Sequence, residues 1–579
     1  MLTSFSLSNF KGFKMIEPIK LKPLTVLCGT NNSGKSSIIQ SLLLMKQSNI
    51  DTAKVPIDNY VQEPLIFNGL YVRLGDWTDV IYNHALEGDI SFYWQSLGEI
   101  KDSRRGKNHP INTNFEVTIK ALNYENLKNR LFISKFIYRD SISKVSFELN
   151  KSGKETYSLK LKNISLRDLL FTWIYSRYDY YFYGRYYRAE LEELVKKFNE
   201  TKFFKERIIN EVNFNNVQVK FEGMFPTILI VKNFPRQSFK SLNKVKEELT
   251  SSSKKVPKYL SQFIDNLLNS LKNYKEPSLE KNLSESVLES SSKKDFQLFS
   301  KEKEFVLIRN YYSYQLTVTH MRNLWSGFRY IGPLREEPKR FYLFDNLRRI
   351  DIGIKGEYTA LVLAVEQEQK LPTYYRCIYD GKRVKEYELR DSDKMLEAIN
   401  WWLSECMKLP EINSVADLRG VINQVKLNSS GVEVYLPDVG FGISQILPIL
   451  VECLRTKEGE TIVLEQPEIH LHPSIQSKLA DFLICMAKSG KKLVVETHSE
   501  HLINRLCLRI AQEEDGEVKD LLNTVFVSFD EQQQSSVVRP IIINEFGEIE
   551  NWPVGFFDEN DSRDLMAATL KKRMSKSKV

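Results

Sequence analysis

A glycine-rich octapeptide near the start of the chain constrains the fold more than any other feature of the sequence. Residues 29–36 read G-T-N-N-S-G-K-S and match the pattern G-x-x-x-x-G-K-[ST] at every fixed position. The β-rich run 24–28 enters this loop, and the largely apolar run 36–45 follows it. A strand, a glycine loop and a buried helix in this order predict a loop that cradles phosphate at the edge of a parallel sheet.

The residues of this loop suit a nucleoside triphosphate bound with magnesium. Its backbone N–H groups can point at phosphate oxygens, at the positive end of the following helix. Lys35 can bring charge to the β and γ phosphates, the Ser36 hydroxyl is placed to ligate Mg²⁺, and Ser37 can reach the α-phosphate. We therefore expect ATP and Mg²⁺ as cofactors. The predicted nucleotide-binding residues of the loop are Asn31, Asn32, Ser33, Gly34, Lys35, Ser36 and Ser37.

Two segments near the end of the chain supply the groups that the loop lacks. The apolar run 461–464 ends in Glu465, which can deliver a carboxylate to Mg²⁺ from the C-terminal edge of a sheet. The apolar run 492–495 is followed by His498, whose imidazole can hydrogen-bond a γ-phosphate and respond to its loss. Both runs are short, apolar and bounded by polar residues, so we predict central parallel strands.

Together these segments resemble the ABC-type ATPase heads of the family that includes the SMC, Rad50, RecF and OLD proteins. Within that family, E-Q-P-E-I-H-L-H-P at 465–473, G-P-L-R-E at 332–336 and N-W-P-V-G-F-F-D at 551–558 resemble stand-alone prokaryotic ATPases of anti-phage defence systems such as Septu. The resemblance covers roughly 1–150 and 325–560. It implies the α/β fold class, with a P-loop NTPase core, an antiparallel β lobe and, in this chain, a largely helical insertion.

The resemblance also assigns roles to individual residues. The motif N-F-K-G-F places Lys11 where a basic residue of these heads reaches the nucleotide phosphates. The segment V-G-F-G-I-S-Q stands where these heads have their L-S-G-G-Q signature, which caps the γ-phosphate of a second subunit and makes a nucleotide-sandwich homodimer. Here Gly440 replaces the signature serine, Gly442 is retained, and Ser444 is a candidate for supplying the missing hydroxyl. Oligomers larger than this head dimer remain compatible with the sequence.

The residue after Glu465 departs from the family pattern. Most of these heads have a glutamate there as the general base for the attacking water, whereas this chain has Gln466. A neutral amide can orient water but cannot accept its proton, and loss of a general base typically lowers the rate about 10²–10⁴-fold. Glu468 is a candidate replacement if the turn at Pro467 brings it inward. We therefore predict slow or conditional ATP hydrolysis, with Glu465, Gln466, Glu468 and His498 as the catalytic set.

Three features leave alternatives open. His470 and His472 resemble the D-loop region at a dimer interface, and the alternative is a metal site that would need further ligands. Arg335 is either an anion contact or part of a structural ion pair. The tyrosine- and arginine-rich segment 175–187 could stack bases and pair with phosphates, or it could form an aromatic surface for a partner protein or a helical core.

Changes in composition divide the chain into four predicted parts. Runs such as 70–74 and 115–119 are predicted strands of the first part, and a helix is predicted from about 188 to 212 in the second. The parts are an N-terminal ATPase lobe with the P-loop (1–160), a helical insertion rich in Tyr/Arg and Lys/Ser (161–325), a C-terminal ATPase lobe with the signature-like, acidic and histidine motifs (326–560), and a basic disordered tail (561–579).

The composition limits the compartment and the classes of partner that we expect, but it does not identify a partner. The net charge of +8 and the isoelectric point near 8.8 permit contact with nucleic acid but do not require it. The six cysteines are scattered without a C-x-x-C pair, which favours reduced thiols in a cytoplasmic protein. No apolar run approaches the roughly 20 residues of a membrane helix, and the N-terminus lacks the pattern of a signal peptide, so we expect no membrane partner.

Three functional hypotheses follow. The leading one is an ATP-binding sensor and scaffold that dimerises through its heads and regulates a partner effector, expected to be a nuclease, in anti-phage defence; that context rests on resemblance alone. The second is a DNA repair or recombination ATPase of the RecF or SMC type that clamps DNA directly. The third is a self-sufficient nuclease. Relatives of the OLD type carry a Toprim domain of about 100 residues with a D-x-D cluster, and this pattern is not found after His498.

Overall fold

The computed structural model describes fifteen stretches of the chain. They are residues 1–50, 63–101, 108–124, 127–154, 156–165, 208–222, 224–231, 305–306, 312–343, 351–381, 383–417, 422–429, 431–440, 442–513 and 515–553. Within these stretches, no helix is long and apolar enough to cross a membrane.

Strands and helices are numbered here in chain order. The strands are β1 (Leu2–Phe10), β2 (Phe13–Met15), β3 (Ile19–Lys20), β4 (Leu24–Gly29), β5 (Asp89–Lys101), β6 (Asn108–Tyr124), β7 (Leu127–Asp140), β8 (Ser146–Lys151), β9 (Thr156–Ser165), β10 (Ile208–Glu222), β11 (Phe225–Val231), β12 (Phe305–Val306), β13 (Phe328–Ile331), β14 (Tyr342–Leu343), β15 (Tyr374–Asp380), β16 (Arg383–Arg390), β17 (Glu411–Asp417), β18 (Ile422–Ser429), β19 (Val432–Tyr435), β20 (Thr461–Glu465), β21 (Lys492–Glu496), β22 (Leu522–Asp530) and β23 (Ser535–Ile541). The α-helices are α1 (Lys35–Ile50), α2 (Trp77–Val80), α3 (Tyr312–Ser326), α4 (Thr359–Glu366), α5 (Met395–Trp401), α6 (Gly442–Arg455), α7 (Pro473–Lys488), α8 (Glu500–Gln512) and α9 (Glu517–Leu521).

A mostly parallel sheet carries the predicted site. In the described part of the chain its strand order is β13-β20-β21-β4-β22-β23, and only β23 runs antiparallel to its neighbour. Every residue of β20 and β21 is buried, because apolar side chains on both faces meet neighbouring elements. This confirms the predicted strands at 461–464 and 492–495. The C-terminal ends of β20, β21 and β4 meet at one edge of the sheet, so the three segments of the site converge there.

An antiparallel lobe stands beside this sheet. Among the described residues, its path is β12-β11-β10-β9-β8-β7-β6-β5-β1-β2, with β3 also paired to β1. Aromatic side chains fill its inner face; the rings of Trp94 and Phe115, for example, stack with centroids 5.2 Å apart. The predicted strand at 115–119 lies within β6 and is therefore confirmed.

The predicted strand at 70–74 is wrong. These residues form turns and one isolated bridge between Asn68 and Arg73. The side chain of Gln47 takes the place of a partner strand, because its Oε1 accepts from the backbone N–H groups of Tyr71 and Val72 at 2.9 and 3.1 Å. Two backbone N–H groups of this apolar run are thus satisfied by one buried side-chain amide and not by a neighbouring strand.

The sequence predicts a largely helical segment at 161–325, whereas most of its described residues lie in strands. The boundary at 160 falls inside β9, and β10, β11 and β12 continue the antiparallel sheet; α3 is the helix described in this segment. The helix predicted from about 188 to 212 is wrong at its end, because Ile208–Glu222 is a strand. Its apolar and polar residues alternate, and it pairs with β9 and β11 on its two sides. The rest of that predicted helix, segment 175–187 and the tail 561–579 lie outside the described residues.

The C-terminal lobe packs α4 and α5 against a smaller sheet of β14, β18, β17 and β19, and α6 packs against these two helices. α6 contains the predicted helix at 446–454 and is buried along most of its length. α7 and α8, which each follow a segment of the site, are held together by a buried ion pair. Asp481 on α7 accepts from Arg509 Nε at 2.6 Å and from Arg505 Nη2 at 2.8 Å, both on α8.

Candidate nucleotide-binding site

The phosphate loop connects β4 to α1, as the sequence predicts. β4 is buried up to Gly29, where a Cβ atom would collide with the carbonyl oxygen of Val527 in the neighbouring β22. Gly34 closes the loop at a φ of 104°, a backbone conformation that favours glycine. Both fixed glycines of the motif are therefore required by the path of the backbone, and the loop ends at the N-terminus of α1.

The lysine of the motif lies folded against its own loop. Lys35 is only 3% exposed, and its Nζ donates to the carbonyl oxygens of Gly29 and Thr30 at 3.1 and 2.6 Å. Burial lowers the pKa of Lys35, while the charge of Glu496 opposes that shift. Asn31 is exposed on the loop. The ammonium thus lies at the base of a loop whose outer residues face solvent.

The serines of the loop have different surroundings. Among the described residues, the buried Ser33 Oγ has no hydrogen-bond partner, and the half-buried Ser37 donates its backbone N–H to Gly34 at 3.0 Å. Asn32, next to Ser33, is exposed at a φ of 60°. The hydroxyl of Ser36 donates to Glu496 Oε1 at 2.9 Å. A carboxylate therefore contacts the side chain that was predicted to ligate Mg²⁺.

Glu496 is the site residue that the sequence interpretation missed. It is the last residue of β21, in register with Glu465 of β20 on one side and with Leu27 of β4 on the other. It is 2% exposed. A signal was present in the sequence, because Glu496 ends a short apolar strand in the same way as Glu465 and stands two residues before His498.

Glu465 lies at the predicted position, next to Glu496. Its Oε1 accepts from the Tyr330 hydroxyl at 3.2 Å. Burial, together with the negative charge of Glu496, raises the pKa of Glu465 to about 7. Two buried carboxylates at neighbouring strand ends repel each other, and a cation between this edge and the phosphate loop would relieve that repulsion. The Ser36 hydroxyl and the Glu465 carboxylate are oxygen donors of the kind that Mg²⁺ accepts.

The turn that contains Gln466 is fixed through its backbone. Gln466 has a φ of 44°, and its N–H donates to the carbonyl oxygen of Glu496 at 2.8 Å. The buried guanidinium of Arg335 donates from Nη2 to Glu465 O at 3.1 Å and from Nη1 to Gln466 O at 2.9 Å. Arg335 therefore stabilises this turn through backbone carbonyl oxygens, which is neither the predicted anion contact nor the predicted ion pair. The Gln466 side chain remains partly accessible at the edge of the site.

Glu468 turns inward after Pro467, which is the condition set for it as a replacement base. Its Oε1 accepts from the backbone N–H of His498 at 2.7 Å, and burial raises its pKa. Its Oε2 is buried and has no hydrogen-bond partner among the described residues. The carboxylate thus links the acidic turn to the histidine. Partial burial and the charge of Lys35 lower the pKa of His498, which favours a neutral imidazole.

Lys11 points toward α1 near the phosphate loop. Its backbone has a φ of 48°, and its Nζ donates to Gln40 Oε1 at 2.6 Å. Burial lowers its pKa, and the charge of Asp79 opposes that shift. The side chain is held one turn into the helix that follows the loop; its contact with phosphate remains a prediction.

The signature-like loop lies beside the acidic turn of the same chain. Gly440 is exposed, with open space where a Cβ atom would be, and a Cβ at Gly442 would lie 3.8 Å from the carbonyl oxygen of His470. Both glycines precede or open α6, so the positive end of that helix faces outward here. Ser444 is only 6% exposed. Its burial argues against the idea that its hydroxyl reaches a second subunit.

The histidine pair does not form a metal site. His472 caps α7, where its Nδ1 lies 2.9 Å from Ser474 Oγ, and His470 is exposed at a φ of 61°. Across the described residues, no group of three or more His, Cys, Asp or Glu side chains is arranged to hold a metal ion by itself. Magnesium at a nucleotide site keeps water and phosphate oxygens among its ligands, so Ser36 and Glu465 suffice for it as protein ligands.

The raised pKa of Glu465 predicts a pH-dependent stability of the nucleotide-free protein. The pKa of Glu465 in the folded protein, about 7, exceeds the ordinary value of 4.5. Its contribution to the free energy of unfolding is therefore fully present below about pH 4.5 and is lost as the pH rises through 7. The loss could reach about 3 kcal/mol. Glu465→Gln should therefore reduce the fall in Tm between pH 5 and pH 8, measured by scanning calorimetry without nucleotide or metal. Glu500→Gln, on α8, is the control; equal falls in Tm for Glu465→Gln and wild type would contradict the prediction.

The comparisons with known proteins agree with this geometry. A family model described as AAA ATPase domain matches residues 1–503, and one described as a protein of unknown function (DUF3696) matches residues 525–566. An OLD nuclease of Thermus scotoductus is 26% identical over 205 residues, which are 32% of this chain and 38% of that protein. The match thus spans well under half of that relative's length.

Alignments with solved SMC heads cover most of this chain, but their sequence identities and TM-scores are low. The SMC head domain from Thermotoga maritima is 10% identical, with 94% of this chain and 99% of that chain covered at a TM-score of 0.31. The Smc head domain derived from Pyrococcus furiosus, bound to the C-terminal domain of ScpA, is also 10% identical, with 93% and 96% covered at a TM-score of 0.31. Similarity of this size carries no conclusion about the site.

The family assignment follows from the extent of the first match. It spans most of the chain and includes the phosphate loop, Glu465, Glu496 and His498, which the fold brings to one edge of the parallel sheet. This chain belongs to the AAA ATPase domain family.

Proposed function

We propose that this chain is an ATP-dependent switch that binds ATP with Mg²⁺, closes into a head dimer and hydrolyses the nucleotide slowly. The observation that carries the proposal is Gln466, a neutral amide at the position of the general base, in a turn whose backbone is fixed by Arg335 and Glu496. Glu468, the candidate replacement base two residues further on, accepts the N–H of His498 at its Oε1. Such a site holds the triphosphate longer than one with a free glutamate base.

The signature-like loop supports the dimer. Gly440 is exposed with open space around it, and the N-terminal end of α6 adds positive potential beside it. A phosphate group presented by a second copy of this chain would meet backbone N–H groups there, and neither Gly440 nor Gly442 places a Cβ atom beside it. Because Ser444 is buried, the contact is proposed to be made by the backbone.

The role of the switch is proposed to be control of a partner effector, a nuclease, in anti-phage defence. Its support is the resemblance of segments 332–336, 465–473 and 551–558 to defence ATPases and the partial similarity to a protein named OLD nuclease. A direct DNA clamp for repair or recombination is the alternative. It differs in requiring ATP-dependent DNA binding by the chain alone, and that binding would weaken with salt.

Purification from the native host separates these roles. We expect the tagged chain, with its neighbouring gene products expressed, to co-elute with a defined nuclease activity when ATP and Mg²⁺ are present, and to lose it with Lys35→Met. Lys14→Met, an exposed lysine of β2, is the matched control. ATP-dependent retention of DNA by the chain alone, with no nuclease partner, would contradict the proposed role and support the clamp.

A further inference from the structure

The carboxylate of Glu496 occupies the centre of the site, between its two halves. Its strand, β21, lies between β20, which carries Glu465, and β4, which leads into the phosphate loop. The contact from Ser36 Oγ to Glu496 Oε1 spans 460 residues of sequence. Neither the phosphate-loop motif nor the acidic motif accounts for this residue, although it touches the side chain from which a magnesium ligand is expected.

The hydrogen bond determines how the Ser36 hydroxyl is oriented. A serine hydroxyl has one hydrogen and two lone pairs. Because an ionised carboxylate accepts hydrogen bonds only, the Ser36 hydrogen must point at Glu496 Oε1, and the lone pairs point away from it. A neutral partner with N–H groups could instead donate to Ser36 and occupy one of these lone pairs. The carboxylate thus leaves the serine oxygen free to bind a cation.

The second oxygen of Glu496 lacks a donor. Glu496 is 2% exposed, and its Oε2 is buried without a hydrogen-bond partner among the described residues. A buried carboxylate oxygen left unsatisfied is unfavourable, and such an oxygen is commonly the partner of a bound water, an ion or a functional group. The nearby charges include another carboxylate, Glu468, and the ammonium of Lys35. A water molecule bound to a cation would supply the missing hydrogen.

We propose that Glu496 is a positioning residue for magnesium, which orients the Ser36 hydroxyl through Oε1 and accepts a hydrogen bond from a metal-bound water through Oε2. Partners of this outer kind fix the ligands of a metal and typically change its affinity about 10–100-fold when removed. The inference rests on the proposed binding of Mg²⁺ with ATP at this edge. It adds a third element to the site, since Ser36 comes from the loop and Glu465 from the acidic strand.

The test is the metal affinity of the nucleotide-bound protein, followed with Mn²⁺ by electron paramagnetic resonance in the presence of a non-hydrolysable ATP analogue. Glu496→Gln should weaken Mn²⁺ binding about 10–100-fold. It should leave the affinity for a fluorescent form of the same ATP analogue, measured in EDTA without metal, within about twofold of wild type. Glu500→Gln, four residues further along, should change neither. Thermal melting of each variant confirms that the fold is retained.

The double variant Ser36→Ala/Glu496→Gln tests whether Glu496 acts on the metal through Ser36. If Glu496 acts through Ser36, the two substitutions are not additive, and the double variant should lose much less than the product of the two single losses. Unchanged Mn²⁺ affinity in Glu496→Gln, with wild-type protein binding normally, would overturn the inference and leave the proposed function intact. Failure of the wild-type protein to bind nucleotide with Mn²⁺ would overturn both.

Discussion

Lys35→Met is expected to weaken ATP binding by at least about 100-fold. Lys35 is the cation of the phosphate loop, and its charge is held there by the carbonyl oxygens of Gly29 and Thr30. Methionine has a similar length and fills the same buried space, but it offers no charge or hydrogen-bond donor to phosphate. A 100-fold loss corresponds to about 2.7 kcal/mol. Titration calorimetry with ATP and Mg²⁺ measures it.

Two controls accompany this variant. Lys14→Met removes an exposed lysine from β2 and should bind ATP as the wild-type protein does. Thermal melting without nucleotide should show that Lys35→Met is folded, so that weak binding reflects the site. Wild-type affinity in Lys35→Met would mean that ATP does not bind through this loop.

Gln466→Glu is expected to speed ATP hydrolysis about 10²-fold or more. It restores a carboxylate at the position where related heads have their general base, and general-base catalysis contributes about 10²–10⁴-fold. The turn should tolerate the change, because Arg335 and Glu496 hold the backbone of residue 466 and not its side chain. The measurement is steady-state phosphate release with saturating ATP and Mg²⁺.

The companion variants distinguish the two candidate bases. Gln466→Ala should not accelerate hydrolysis, because it adds no proton acceptor. If Glu468 already serves as the base, Gln466→Glu would have little effect and Glu468→Gln would lower the wild-type rate sharply. Because Glu468 is buried and bonded to the N–H of His498, whereas the side chain at position 466 is partly accessible at the edge of the site, we expect the Gln466 substitution to have the larger effect.

The sequence pattern correctly predicted two strands and the phosphate loop, whose residues carry the signal within one short segment. Runs 461–464 and 492–495 are strands because they are apolar on both faces, and the phosphate loop forms because Gly29 and Gly34 fit its backbone. The glycine motif and the apolar runs are visible within each segment, although the contact that requires a glycine at position 29 is to Val527 of β22. Glu465 lies at the sheet edge for a similar reason, since a strand carries its last residue to the edge.

Contacts between distant segments could not be predicted in this way. Arg335 donates to the carbonyl oxygens of two residues that lie 130 and 131 positions away in the sequence. The role proposed for Glu496 depends on its hydrogen bond with Ser36, which lies near the other end of the chain. The run 70–74 has a strand composition but meets the side chain of Gln47 instead of a partner strand. The reverse holds for β10, which pairs on both sides although the segment before it resembles a helix in composition.

The most direct test of the central claim is the lifetime of ATP in the dimer. Mass photometry with ATP and Mg²⁺, combined with quench-flow measurement of ADP in a single turnover, follows the dimer and its nucleotide together. We predict that ATP converts the wild-type chain to a dimer that persists until the slow chemical step, and that Gln466→Glu shortens its lifetime about as much as it speeds hydrolysis. Rapid hydrolysis by the wild-type chain alone, or a chain that stays monomeric with bound ATP, would contradict the account.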